Sequence, residues 1–447
     1  MPLGFGKKKK QQQDYETGPG GQGSAFAAGV RERQPGAEWN GGGSSGTSGY
    51  QGEHSFATQQ QYHGQAQQHQ QAQQHQAHAH AQGHRAQKSA RLPKGSVDPV
   101  PAGAHRYAPS LSLKTFDIGG LPVNVFGLAE LTPVPSRSSA SRPPEVCVIF
   151  HLHGRGSSAK TAEGFIRQFY HTISLHRNAD EGRAALPQSG RNRQDAARSQ
   201  FTQVGSDGRG QQGAREYIFV SFDARNHGHR LTHEQGQKSW KDQNPEHAKD
   251  LYAMVIGTAR DVSFLIDFLP SYLFPHDERI VTCWTCTGRS LGGHSAWAVL
   301  TAEPRVTVGV PFIGCADFQK LLQDRARTSF VPYGAPTVPH SLQALIKTID
   351  PAANPYYGSF DQRNPFWNKR ICVCSGAADK LVKHSYSEEF LRNLVVGEPD
   401  QGRGDEDTGT GFAGLKIYVE SNCGHTVTDA MVEVASAFIY RWAIRGS

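Results

Sequence analysis

The sequence predicts an α/β protein: a mostly parallel sheet with helices on both faces and a small helical cap, preceded by a disordered N-terminal tail. Three observations predict it. Continuous apolar runs of strand length recur after Leu111, helix-period segments separate most of them, and a Gly-rich turn carrying a serine stands between one strand and one helix. Strands covered on both faces read as continuous apolar runs. Strands alternating with helices wind into a parallel sheet.

The tail comes first. Charged residues make up 19% and hydrophobic residues 37% of the 447-residue chain, low for a wholly globular protein. The shortfall is concentrated in residues 1–105, where Gly and Ser dominate Gly41 to Gly49 and Gln, His and Ala dominate Gln59 to Gln87. Such tracts cannot bury enough apolar surface to offset chain entropy, so a disordered segment is expected, with weak association through its Gln/His-rich part. The run from His69 to His84 lacks a fixed ligand geometry, and no metal or other cofactor is expected. About 340 residues remain, enough for one large domain over 106–447.

Within that domain, Leu113, Phe116 and Ile118, then Gly119-Gly120, then Val123, Val125 and Phe126 read as a β-hairpin. Val146 to Leu152 is the first buried strand, followed by a helix over Ala162 to His176. The polar stretch 178–213, rich in Arg, Gln, Gly and Ser, reads as a surface loop. Tyr217 to Phe222 is the next strand. Asn244-Pro245-Glu246 then opens a helix, with Asn as the cap and Pro in the first turn. Ile280 to Thr285, Val306 to Ile313, Arg370 to Ser375 and Leu415 to Val419 are further strands, and a helix over Met431 to Trp442 closes the chain. The connection 318–367 is longer than a typical loop and reads as the helical cap.

Thr287-Gly288-Arg289-Ser290-Leu291-Gly292-Gly293 lies between a strand and a helix-like Ser295 to Leu300. A side chain projecting from so sharp a turn forces strained backbone angles, and residues two before and two after must be small. Ser290 is therefore the candidate nucleophile. A hydroxyl needs a base to take its proton, and the base needs a third group to orient it. Asp379, in Gly376-Ala-Ala-Asp, follows one strand, and His425, in Cys423-Gly-His, follows the last. Both land on the sheet edge that carries Ser290, so His425 is the expected base and Asp379 the expected acid, with Asp350 and Asp361 in the cap as competitors. His153-Gly154-Arg155-Gly156 ends the first buried strand. Its glycines let backbone amides face a developing oxyanion, assigned to Arg155 and Leu291, with Gly156 as a substitute.

The H-G-x-G turn, the G-x-S-x-G elbow, the G-x-x-D turn and the final G-H occur in an order that resembles the α/β-hydrolase superfamily over roughly Leu111 to Ser447. The resemblance implies an α/β-hydrolase fold and a serine esterase with a small cap. Its reaction would be cleavage of a carboxylic ester or related acyl bond through a Ser-His-Asp triad and an acyl-enzyme, on a small-molecule acyl substrate. Phe222-Asp-Ala-Arg-Asn-His-Gly228 resembles the D-x-R-x-H-G loop of cap-bearing members. It implies a pocket lined by Arg225 and His227, and His153 of the H-G-x-G turn is expected to line the same pocket. Two other readings stand beside this one: a serine peptidase or amidase of the same fold, and a non-catalytic hydrolase-fold scaffold. Arg155, Arg225, Arg230 and Arg289 also suggest an anionic group on the ligand.

Bulk features exclude other classes. The net charge is +7, part of it from Lys7 to Lys10, but no basic stripe interleaved with aromatics appears, so nucleic acid is not an expected partner. No run reaches the ~18 apolar residues of a membrane span, Pro2 stands where myristoylation needs glycine, and no signal-like segment follows Met1. A cytoplasmic location is expected, without excluding the nucleus. The 7 cysteines lie mostly in apolar runs and read as small buried hydrophobes. Cys283 and Cys286 share C-x-x-C spacing, but on a strand they point to opposite faces.

Overall fold

The computed structural model describes residues 110–134, 142–185, 214–357, 363–398 and 410–446. The expected tail, most of the stretch 178–213 and Asp361 therefore lie outside the described residues. Eight strands form one sheet: β1 (Leu113–Ile118), β2 (Leu121–Phe126), β3 (Glu145–Leu152), β4 (Glu216–Phe222), β5 (Ile280–Arg289), β6 (Val306–Phe312), β7 (Arg370–Gly376) and β8 (Leu415–Glu420). Their spatial order is β1-β2-β4-β3-β5-β6-β7-β8. The pairs β1–β2 and β2–β4 are antiparallel and the rest parallel.

Seven helices are described: α1 (Glu163–Ala185), α2 (His247–Leu273), α3 (Leu291–Ala302), α4 (Phe318–Thr328), α5 (His340–Ile349), α6 (Glu388–Asn393) and α7 (Asp429–Ile439). Residues on one strand alternate between two cores. In β3, Val146, Val148, Phe150 and Leu152 pack with α2, α3, α4 and α6, whereas Cys147 and Ile149 pack with α1 and α7. The alternation follows from successive strand side chains pointing to opposite faces. Cys283 and Cys286 obey it, one in each core, and all seven thiols are free and buried.

Several elements differ from the sequence expectation for identifiable reasons. β5 runs on to Arg289 because it is paired on both sides to its end, Leu152 with Gly288 and Arg289 with Phe312. α1 runs past His176 to Ala185 into the stretch read as loop. Arg177 pairs with Glu181 at 2.8 Å one turn on, and Asp180 accepts the Tyr440 hydroxyl at 2.8 Å, so the final helix holds this extension. α2 begins at His247, after a turn in which Asn244 Oδ1 accepts the Glu246 amide at 2.9 Å. α7 ends at Ile439 and continues as a wide turn over Tyr440–Arg445. The connection 318–367 carries α4 and α5, with Asp317 Oδ1 accepting the Lys320 amide at 2.9 Å as the cap of α4. No helix among the described residues is long and apolar enough to cross a membrane.

One buried polar tie holds the end of β3. The Thr287 hydroxyl donates to the Phe150 carbonyl at 3.0 Å, so its oxygen must accept the Nδ1 proton of His151, 2.9 Å away. Burial first, and then the neighbouring His153 and Arg289, bring His151 down to about 3 from the ordinary 6.5, so the ring is neutral near pH 7. The sign follows. The unfolded chain takes up this proton near 6.5 and the folded chain does not. Stability from the neutral ring is thus present above pH 6.5 and is lost as the pH falls toward 3. The slope per such proton is about 1.4 kcal/mol per pH unit. His151→Asn keeps a donor to Thr287 and removes the titration. Urea midpoints measured from pH 6 to 4 should fall less steeply in the variant by one proton's worth; equal slopes would show that His151 is charged in the fold.

Candidate active site

The site is built on strand ends that the sheet brings to one edge. Ser290 sits between β5 and α3 with φ 52° and ψ −108°, a left-handed conformation that non-glycine residues rarely adopt. Two close approaches hold it there. A Cβ on Gly288 would stand 2.1 Å from the Gly292 oxygen, and one on Gly292 would stand 1.9 Å from the Leu152 oxygen. Only hydrogen fits at either position, so the start of α3 presses on the end of β3. The Ser290 amide donates to Phe312 O at 3.0 Å, and the His294 amide donates to Ser290 O at 2.9 Å.

Ser290, His425 and Asp379 meet in one hydrogen-bonded chain. Ser290 Oγ lies 2.8 Å from His425 Nε2, and His425 Nδ1 lies 2.7 Å from Asp379 Oδ2. Asp379 is buried and its other oxygen accepts the Leu381 and Val382 amides at 2.8 and 3.0 Å, which fixes the carboxylate plane. Since a carboxylate only accepts, Nδ1 of His425 carries the proton and Nε2 is free to accept from the serine hydroxyl. Such a chain can take the hydroxyl proton as the oxygen attacks. Asp350, the other described candidate acid, is committed elsewhere. Its Oδ2 accepts the Phe318 amide at 2.9 Å and caps α4.

The turn after β3 stands next to this chain because Leu152 contacts Gly292. The Ser157 amide closes it onto Gly154 O at 3.2 Å, with Arg155 half-buried and Gly156 exposed at φ 76°. Leu291 is the first residue of α3, where an amide has no acceptor within the helix and faces outward at the positive end of the dipole.

The three residues expected to face the substrate are each bonded within the protein. His153 is 1% exposed. The Ala224 amide donates to its Nε2 at 2.9 Å, so Nδ1 carries the proton and donates to Gly154 O at 2.9 Å. Nε2 thus ties the β3 turn to the β4 loop, and Nδ1 closes onto its own turn. Arg225 turns onto α2 and grips Asp261 at 3.3 and 2.9 Å, and Arg230 takes the same carboxylate at 2.7 Å. His227 is fully buried, with Nδ1 2.9 Å from Arg225 O and its ring edge-on to His153. Burial first brings it down to about 4. Their hydrogen bonds join the turns after β3 and β4 to each other and to α2.

A cleft of about 330 Å³ is lined by Arg155, Trp240, His247, Arg325, Lys380 and Leu381 among others. Lys380 and Leu381 directly follow Asp379, and Arg155 belongs to the β3 turn. Arg325, on α4, was not singled out from the sequence. It does carry a legible signal, since Phe318, Leu321, Leu322 and Ala326 are the buried positions of that helix and an arginine at 325 continues their spacing. Among the described residues no group of His, Cys, Asp and Glu side chains could hold a metal ion.

No family model and no curated protein sequence matches the chain. Among solved structures it is similar to TT1662 from Thermus thermophilus, with 18% identity, coverage of 75% of this chain and 98% of that one, and a TM-score of 0.44. It is also similar to the Pyrococcus furiosus esterase Pf2001, with 13% identity, coverage of 74% and 93%, and a TM-score of 0.36. A third is an arylesterase, with 12% identity, coverage of 75% and 85%, and a TM-score of 0.39.

The position of His425 depends on another close approach. A Cβ on Gly376 would stand 2.4 Å from Cys423 O and 2.5 Å from Gly424 O. Gly376→Ala should therefore push the Cys423-Gly424 turn outward and lengthen the Ser290–His425 contact while the sheet stays folded. The Nδ1 proton of His425, held against Asp379, should give a downfield proton resonance that shifts or vanishes in the variant. An unchanged resonance in a folded Gly376→Ala protein would show that this turn does not set the imidazole.

Proposed function

We propose that this chain, whose fold is that of the α/β-hydrolases, is a serine hydrolase that cleaves a carboxylic ester or related acyl bond. The observation that carries the reading is the continuous Ser290–His425–Asp379 chain, at 2.8 and 2.7 Å, built on the strained turn at Ser290. Ser290 Oγ attacks the acyl carbonyl carbon as His425 Nε2 takes its proton. Asp379 holds the ring in the productive tautomer and stabilises the imidazolium. The carbonyl oxygen, now negative, faces the amides of Leu291 and Arg155, with Gly156 as the substitute donor. One such donor is typically worth about 10² to 10³ in rate. Collapse of the tetrahedral species breaks the bond to the alcohol oxygen, which leaves with the proton from Nε2. Water then repeats the cycle on the acyl-enzyme and frees the acid and Ser290.

Ser290→Ala should abolish turnover of short p-nitrophenyl esters and covalent labelling by a fluorophosphonate, with an unchanged far-UV spectrum. Labelling that persists in the variant would sink the assignment. Asp379→Asn should lower kcat by about 10³- to 10⁴-fold, because an amide at this position favours the wrong imidazole tautomer. Asp350→Asn should leave kcat within about an order of magnitude and act on stability instead. Reversed outcomes for the two aspartates would move the acid to Asp350.

A further inference from the structure

The cleft that the turns after β3 and after Asp379 border is walled by five cationic side chains, Arg155, Lys241, Arg325, Lys380 and Lys383, against two carboxylates, Asp242 and Asp324. The carboxylates are committed. Asp324 accepts from Tyr386, Lys383 and Arg327 at 2.5, 3.0 and 2.6 Å. Asp242 accepts the Ser239 hydroxyl at 2.6 Å in a capping turn. Neither arginine is hydrogen-bonded to them, and Asp242 acts on Arg155 only through its charge. Arg155 Nη1 is buried without a hydrogen-bond partner. Arg325 Nη1 lies 3.4 Å from His247 Nε2, a neutral acceptor, because His247 Nδ1 donates to Lys238 O at 2.8 Å.

This arrangement costs free energy as it stands. A buried cation is normally retained only where it is paired. Burial, and then the charge of Arg155, bring the Arg325 guanidinium down to about 10, so the two arginines repel each other. His247 supplies orientation without neutralisation. Arginine forks that are oriented, partly desolvated and not hydrogen-bonded to a carboxylate match a carboxylate or phosphate in bidentate geometry. The remaining wall suits the carbon chain of a small ester, since Leu381 is 58% exposed and Trp240 borders the same space.

We infer that this cleft binds a compact oxyanion, a carboxylate or phosphate carried by the substrate itself, between Arg155 and Arg325. The enzyme then selects anionic esters, and the selecting residues lie on the β3 turn and on α4. The inference deepens the hydrolase reading and rests on Ser290 as the nucleophile, but anion binding can be measured without turnover.

Two measurements on the full chain test it. In the first, Ser290→Ala protein is titrated with succinate and with inorganic phosphate at constant ionic strength, followed by calorimetry and tryptophan fluorescence. Saturable binding is expected. It should weaken about tenfold to a hundredfold when Arg325→Met is added, the worth of a charged hydrogen bond, and recover in part with Arg325→Lys. The preferred anion identifies the group. In the second, the ratio of kcat/KM for a p-nitrophenyl hemisuccinate to that for p-nitrophenyl butyrate should exceed one and fall in Arg325→Met. The ratio cancels any general loss of activity in a variant placed in the site. No saturable binding of either anion, or an unchanged ratio in a folded Arg325→Met, would overturn the anion site. Loss of labelling and of all ester turnover in the wild-type chain would instead sink the hydrolase reading, and saturable anion binding to Ser290→Ala would still support the cleft.

Discussion

The contact between Gly292 and the carbonyl of Leu152 is the constraint from which the rest of the site follows. It lets the first turn of α3 lie directly on the end of β3, so the amide of Leu291 and the turn after β3 become neighbours. It also leaves Ser290 no ordinary conformation to adopt. A residue held in so sparsely populated a region costs on the order of 1–3 kcal/mol and persists only when its surroundings over-determine it. Here the surroundings are β3 and β6, which pair with β5 through its last residues, and the bond from the Ser290 amide to Phe312 O. Strain at the serine is thus sustained where β5 is paired on both sides to its end.

Around this centre the protein controls protons by deciding which histidine nitrogen is occupied. His153, His227 and His247 each direct Nδ1 at a backbone carbonyl, of Gly154, Arg225 and Lys238 respectively. His151 gives its Nδ1 proton to Thr287. Burial keeps His151, His227 and His247 neutral, with ordinary values lowered to about 3, 4 and 3. His425 differs in that its Nδ1 meets a carboxylate and its Nε2 meets a hydroxyl. In the proposed reaction Asp379 faces the charge that forms on that ring, whereas protonation of the other rings would place an unpaired charge in the core.

The parts of this structure that were legible in the sequence share one property: their signal is short. The turn at Ser290, the Gly376-to-Asp379 turn and the Cys423-to-His425 turn each lie within a few residues of a strand end, and the parallel sheet then aligns strand ends without further information. What the sequence hid was set by distant partners. Arg225 and His227 looked like a pocket lining because nothing local shows that Arg225 grips Asp261, 36 residues on, or that the Ala224 amide binds His153. The extension of α1 to Ala185 depends likewise on Tyr440, 260 residues from Asp180. Charge at a motif is visible in a sequence; whether it is already neutralised is a tertiary fact.

That distinction bears on what the cleft recognises. Of the arginines whose positions suggested an anionic ligand, Arg225 and Arg230 are held on the carboxylate of Asp261 and neither lines the cleft. Arg155 keeps its charge, and α4 adds Arg325 opposite it. Arg155 also stands at two levels of the proposed reaction, its amide at the acyl oxygen and its side chain in the cleft. A substrate that engages both must carry its anionic group close to the scissile carbonyl, within the reach of one arginine side chain. Binding energy from that remote charge can then hold the carbonyl against Ser290. A long neutral acyl chain placed in the same cleft would have to desolvate two guanidinium groups and offer them nothing. The cost falls on the wrong substrate as a buried, unpaired charge, which is how a site of this kind discriminates.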